Sequence, residues 1–144
     1  MEKSAGLVII LDETKILLVH PTGSAWNSRL SFPKGHIDDN ETSLEAAIRE
    51  TKEETGINIP DYLIDKFEYQ IKYKDKNGKV YKTVFYFLVK INSPDWININ
   101  GNENLVVDEN NLQLDEIDWA GFLNKEESED KIFWRFKEIL GLLN

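Results

Sequence analysis

The sequence predicts an α/β fold built on a mixed sheet. Short apolar runs at 5–11 and 15–20 read as strands, a capped amphipathic helix starts just after Thr42, and Asn77-Gly78 folds a later strand pair back on itself. Strands and helices therefore interleave as in the α/β class, while the hairpins exclude an all-parallel sheet. A chain of 144 residues suits one domain, spanning 1–144, with a core of its own.

Each element has its own warrant. "AGLVIIL" (5–11) and "KILLVH" (15–20) are separated only by "DET", which reads as a hairpin of buried strands. "HPTGSAWNSRLSFPKG" (20–35) carries two prolines and two glycines and reads as loop. Thr42 and Glu45 form a capping box. Leu44, Ala47, Ile48 and Thr51 then recur at helical spacing as one packing face, and Gly56 stands where a left-handed residue ends the helix. Phe67, Tyr69, Ile71 and Tyr73 alternate along a strand, "DKNGK" (75–79) turns it, and "VYKTVFYFLVKI" (80–91) returns. The polar, Asn-rich stretch 92–111 reads as loop with at most a short strand at 105–107. Ile132, Phe133, Phe136, Ile139, Leu140 and Leu143 predict a C-terminal helix docked on the sheet.

Composition narrows the function. With 41% hydrophobic residues the chain is globular rather than disordered. Twenty-six acidic against 17 basic residues give a net charge of −9. That opposes long nucleic acids, whose binding works by neutralising phosphates, and anionic membrane surfaces. A small anionic substrate is compatible where local cations reverse the field. The absence of cysteine excludes disulfides and thiol catalysis. The first residues carry Glu2, and their apolar run breaks at Asp12, so neither a signal peptide nor a membrane span is expected. The expected location is cytoplasmic.

One feature of the helix demands explanation. Glu50, Glu53 and Glu54 crowd within about one turn, although like charges four apart destabilise a helix by roughly a few tenths of a kcal/mol. Glu53 points away from the packing face, with Glu50 and Glu54 flanking it. Either the strip is merely solvated, or a cation sits on it.

The frame around these charges runs Gly35, five residues, Glu41, seven residues, Arg49-Glu50, Thr51, Lys52, Glu53-Glu54, Thr55, Gly56, Ile57. It resembles the Nudix box, G-x5-E-x7-R-E-U-x-E-E-x-G-U, with U a bulky apolar residue. All the fixed identities are present, and Thr51 departs at one apolar slot. The resemblance implies an α/β/α sandwich and hydrolysis of a nucleoside diphosphate linked to another group. It further implies Mg²⁺, with Mn²⁺ as substitute, on Glu50, Glu53, Glu54 and the backbone carbonyl of Lys34; carboxylates suit such hard ions. Arg49 would orient a carboxylate, with Glu41 or Glu53 as partner, or else pair with Glu45 on the surface. Gly35 would permit a tight turn and close backbone approach.

Flanking segments sharpen the resemblance. "SFPKGHID" (31–38) and "KVYKTVFYFLV" (79–89) look like stretches of Nudix hydrolases that act on diadenosine tetraphosphate. This implies a small-molecule nucleotide partner, with Lys34, His36 and Lys82 near phosphate. Tyr86, on the strand face of Lys82, would either stack on a base or lie in the core. The lysines at 72, 74, 76, 79 and 82 suit either a polyphosphate tail or protection of an edge hairpin. The resemblance also implies a further catalytic carboxylate, as metal ligand or base, six residues before a large aromatic; with Phe122 as that aromatic it falls on Glu116, with Asp115 and Glu109 as weaker candidates. Glu53 and Glu116 both qualify as general base. Pyrophosphate removal from RNA 5′ ends, nucleoside triphosphate pyrophosphatase activity, and a nucleotide sensor that binds without hydrolysis are the alternatives.

Overall fold

The computed structural model describes residues 1–143; Asn144, the last residue of the expected domain span, lies outside them. In chain order the elements are β1 (Glu2–Leu11), β2 (Lys15–Pro21), β3 (Lys34–His36), α1 (Ser43–Thr55), β4 (Tyr69–Lys74), β5 (Val80–Ile91), α2 (Ser93–Asn100), β6 (Ile117–Asn124), α3 (Lys125–Lys131) and α4 (Lys137–Gly141). The sheet order is β4-β5-β1-β2-β6, with β3 also on β1. Strand β1 runs parallel to β5, from Glu2 opposite Lys82 to Leu11 opposite Ile91, and antiparallel to β2 and β3. The sheet is mixed, as expected.

Both faces of the sheet are covered, which explains why β1 reads as a continuous apolar run. Ala5, Leu7, Ile9 and Leu11 face one core beneath α1, together with Ala46 and Ala47. Val8 and Ile10 face the other, with Phe32, Val84, Tyr86 and the C-terminal Phe136, Ile139 and Leu140. Helix α1 starts and stops as predicted. Thr42 Oγ1 accepts from the Glu45 amide, Glu45 accepts from the Thr42 amide, and Gly56 ends the helix at φ 75°. Thr51 is fully buried, and its hydroxyl donates to the Ala47 carbonyl at 2.8 Å. The departure from an apolar residue therefore leaves no orphan donor.

Four expectations need correction. The stretch expected as loop contains α2, capped reciprocally by Asn92 and Asp95 and ended by Gly101 at φ 72°. Its helical period is weak because mainly Trp96 docks, edge-on to Phe122 with ring centroids 4.9 Å apart. Residues 117–124 form an unforeseen strand, β6, antiparallel to β2. Ala120, Gly121 and Phe122 are consecutive buried residues, so no alternation marks it. The single C-terminal helix is broken into α3, a turn at Trp134–Phe136 and α4. The Leu30 amide donates to Lys131 and the Phe133 amide to Leu30, so the backbone there bonds a distant loop instead of its own next turn. Ile132, Phe136, Ile139 and Leu140 still reach the core. Phe67 lies before β4 and is 62% exposed, so the alternation begins at Tyr69. Among the described residues no helix is long and apolar enough to cross a membrane.

Trp96 carries the attachment of α2, and its removal would leave a large void. Trp96→Ala is expected to lose roughly 3–5 kcal/mol in urea unfolding. Ile97→Ala, at the exposed neighbouring position, should stay within about 0.5 kcal/mol of the parent.

Candidate active site

Strand β3 brings the loop before α1 against the helix. A Cβ on Gly35 would lie 2.1 Å from the carboxyl carbon of Glu50. Only glycine lets that carboxylate rest against the β3 backbone.

Arg49 organises the carboxylates. Its Nε and Nη2 donate to the two oxygens of Glu41 at 2.7 and 2.9 Å, a fork-to-fork pair. Nη1 donates to Glu50 at 2.9 Å and to Glu53 at 3.2 Å, while Nη2 also reaches the His36 carbonyl at 2.9 Å. Both partners read from the sequence, Glu41 and Glu53, are therefore engaged, and Glu45 serves the helix cap instead. The hydrogen bonds from Arg49 hold the Glu41 carboxyl below its usual range.

The three helix glutamates differ in environment. Glu53 is half exposed. Glu50 is shielded, and burial raises its carboxyl against the pull of Arg49. Glu54 is 5% exposed and accepts from the Lys34 amide at 3.1 Å. Burial chiefly, with the charges of Glu50 and Glu116 adding to it, pushes its carboxyl up to about 8.

A cleft of about 310 Å³ gathers Lys34, Gly35, His36, Glu54, Lys82 and Glu116 along its lining. Glu116 is brought there by backbone bonds: the Gln113 amide donates to the Glu54 carbonyl, and the Glu116 amide to Gln113. Asp115 and Glu109 do not line it. Lys34 is drawn below its ordinary range by burial and by Lys82. Lys82 pairs with Glu2 at 3.2 Å and lies over the Tyr73 ring.

Two expectations change here. Tyr86 is fully buried, with its ring 5.3 Å from Phe32, so it has no face open to a base. Its hydroxyl is a buried donor without a hydrogen-bond partner among the described residues. The lysine group is also split. Lys82 stands opposite Tyr73 in register and shares its face, whereas Lys72 and Lys74 alternate with Tyr73 and point to the other face. Sequence reasoning missed Glu2, which the parallel register of β1 and β5 sets directly opposite Lys82. No local signal marks such a long-range pairing.

The donor set fits a hard divalent ion: all its side-chain atoms are carboxylate oxygens, and Glu50 and Glu54 both feel the charge of Glu116. As the side chains stand, no three acidic or histidine residues among those described are gathered to hold an ion; Glu50 and Glu53 are bonded to Arg49.

The NUDIX domain family matches residues 1–135. The chain belongs to the Nudix family. This Nudix hydrolase is 36% identical over 101 residues to the asymmetrical bis(5′-nucleosyl)-tetraphosphatase of Caenorhabditis elegans, covering 68% of this chain and 71% of that protein. It is 34% identical over 101 residues to an RNA pyrophosphohydrolase of a Sulfurovum species, covering 64% and 61%. Among solved structures, a C. elegans Ap4A hydrolase binary complex aligns at TM-score 0.66 and 29% identity, over 99% of this chain and 93% of that one. By this kinship the chain is a pyrophosphohydrolase homologous to Ap4A hydrolases.

The buried Glu54 makes a pH prediction for the metal-free protein. Between the ordinary carboxylate value and about 8, the folded chain keeps a proton that the unfolded chain releases, so stability falls as pH rises through that window. In chelator, the melting temperature should decline from about pH 5 to about pH 8. Glu54→Gln should lessen that decline and be the more stable chain at the alkaline end; equal slopes in both would refute the assignment.

Proposed function

We propose that this Nudix hydrolase cleaves a dinucleoside polyphosphate such as diadenosine tetraphosphate, using Mg²⁺ or, as a substitute, Mn²⁺. The observation that carries the reading is the single cleft in which the box residues Gly35 and Glu54 meet Lys34, His36, Lys82 and Glu116. The extent of the match to the C. elegans Ap4A hydrolase supports it.

When bound, the divalent ion neutralises the carboxylates, draws in polyphosphate and makes water a stronger nucleophile. Glu50, Glu53 and Glu54 would hold it, with the Lys34 backbone beside them. Arg49 keeps Glu50 and Glu53 on one side of the helix and ties the β3 loop to it. The ammonium groups of Lys34 and Lys82 offset the charge of the phosphate chain in a protein that otherwise repels it. Glu53 or Glu116 takes the proton of the attacking water. RNA 5′-end hydrolysis is the second reading, favoured by the Sulfurovum relative and opposed for long RNA by the net charge.

A nucleotide panel with Mg²⁺ and Mn²⁺ tests the substrate. It comprises diadenosine polyphosphates, nucleoside triphosphates, ADP-ribose, and capped and triphosphorylated RNA. The expected result is fastest turnover of diadenosine tetraphosphate into two unequal nucleotides; faster turnover of RNA ends would favour the second reading. Within the same assay, Glu116→Gln should lower kcat and kcat/KM together by at least about tenfold. Glu109→Gln, outside the cleft, should match the parent, and the reverse pattern would displace Glu116.

Lys82→Ala should raise KM for tetraphosphates more than for shorter chains, with little change in melting temperature. Glu2→Gln should shift KM the other way, because Glu2 competes with phosphate for Lys82. Equal shifts at every chain length would leave Lys82 a structural role only.

A further inference from the structure

Trp26 stands 58% exposed in the loop between β2 and β3, yet its ring is fixed. The indole lies flat on the imidazole of His20, with centroids 3.6 Å apart and planes 5° from parallel. His20 is 1% exposed and held at both edges: Nδ1 lies 2.5 Å from the Asp118 carboxylate and Nε2 3.2 Å from the Ala25 carbonyl. Trp119 stands edge-on to Trp26 at 6.5 Å. One face of the indole is thus covered and its tilt set, while the other face is bare.

The position of this ring ties it to the cleft. Pro21, next to His20, lines the cleft together with Glu116 and Ile117. The Thr22 amide donates to the Glu116 carbonyl and its hydroxyl to the Leu114 carbonyl, both at 2.8 Å. Asp118 and Trp119, which set the His20–Trp26 stack, lie two and three residues after Glu116, at the start of β6. The loop that presents the indole is therefore stitched to the segment that presents the distal carboxylate.

We propose that Trp26 is the stacking platform for a base of the nucleotide whose phosphates occupy the cleft. The assignment deepens the nucleotide reading of the cleft and rests on it. A bare aromatic face already fixed in orientation loses little side-chain freedom when a planar ring settles on it. Stacking on one face is open to every base, because each has a π face, so adenine and guanine are bound alike. The phosphate chain is gripped by Lys34 and Lys82, and the base adds its contact at the rim.

Calorimetry separates this role from mere shielding of His20. Binding of α,β-methylene-ATP and of inorganic tripolyphosphate, each with Mg²⁺, is measured for the parent, Trp26→Ala and Trp26→Phe. The parent should bind the nucleotide more tightly than tripolyphosphate. Trp26→Ala should weaken the nucleotide about tenfold and leave tripolyphosphate unchanged, while Trp26→Phe keeps most of the affinity. The corresponding guanine nucleotide should show the same loss. Equal weakening of both ligands, no weakening of either, or a parent that binds the two alike would each overturn the proposal. Failure to cleave diadenosine tetraphosphate would strike the substrate reading and leave this binding comparison standing.

Discussion

Arg49 distributes its donors among groups from three places in the chain: Glu41 in the loop before α1, Glu50 and Glu53 on the helix, and the His36 carbonyl at the end of β3. A flat guanidinium with five donors in a rigid fork can serve all of these at once, which a lysine cannot. The geometry of the site follows from that division. Loop and helix are clamped at a fixed spacing, Glu50 lies down on Gly35, and Glu54 on the next turn of the carboxylate strip is left facing Lys34 and the cleft. The three glutamates therefore share a strip but not an environment, one half exposed, one shielded and one buried.

The sheet supplies the second half of the site. Because β1 and β5 run parallel in register, the first residues of the chain meet Lys82, and the lysine side of the cleft is assembled from strands far apart in sequence. The carboxylate beyond the box arrives by backbone bonds from Gln113 to Glu54. Helix, paired strands β1 and β5 and distal loop each contribute side chains to the site, and only the helix does so through local sequence.

That division explains what could be read in advance. Helix α1 was legible to the residue, since its cap at Thr42, its packing face and its stop at Gly56 are all local. The two hairpins were legible for the same reason. Helix α2 was not, because a single anchoring Trp96 gives no period. Strand β6 was not, because consecutive residues are buried and alternation vanishes. The C-terminal helix was overextended because Ile132 has the spacing of a helix face while the backbone on either side of it bonds to Leu30. Among site residues, the strand-face parity of Lys82 and Tyr86 was correct, but depth decides that one lines the cleft and the other the core.

The loop from Thr22 to Arg29 is pinned at one end to Glu116 and at the other, through Leu30, to the C-terminal segment. None of those ties involves the Nudix box. The loop and the box are thus held in place by separate sets of bonds. Residues 23–29 can change in length or aromatic content without touching the bonds that hold Glu41, Glu50 and Glu53 to Arg49, as surface loops on a fixed scaffold generally allow. Loop and box are in this protein two modules, and variation in the one has a route that never passes through α1.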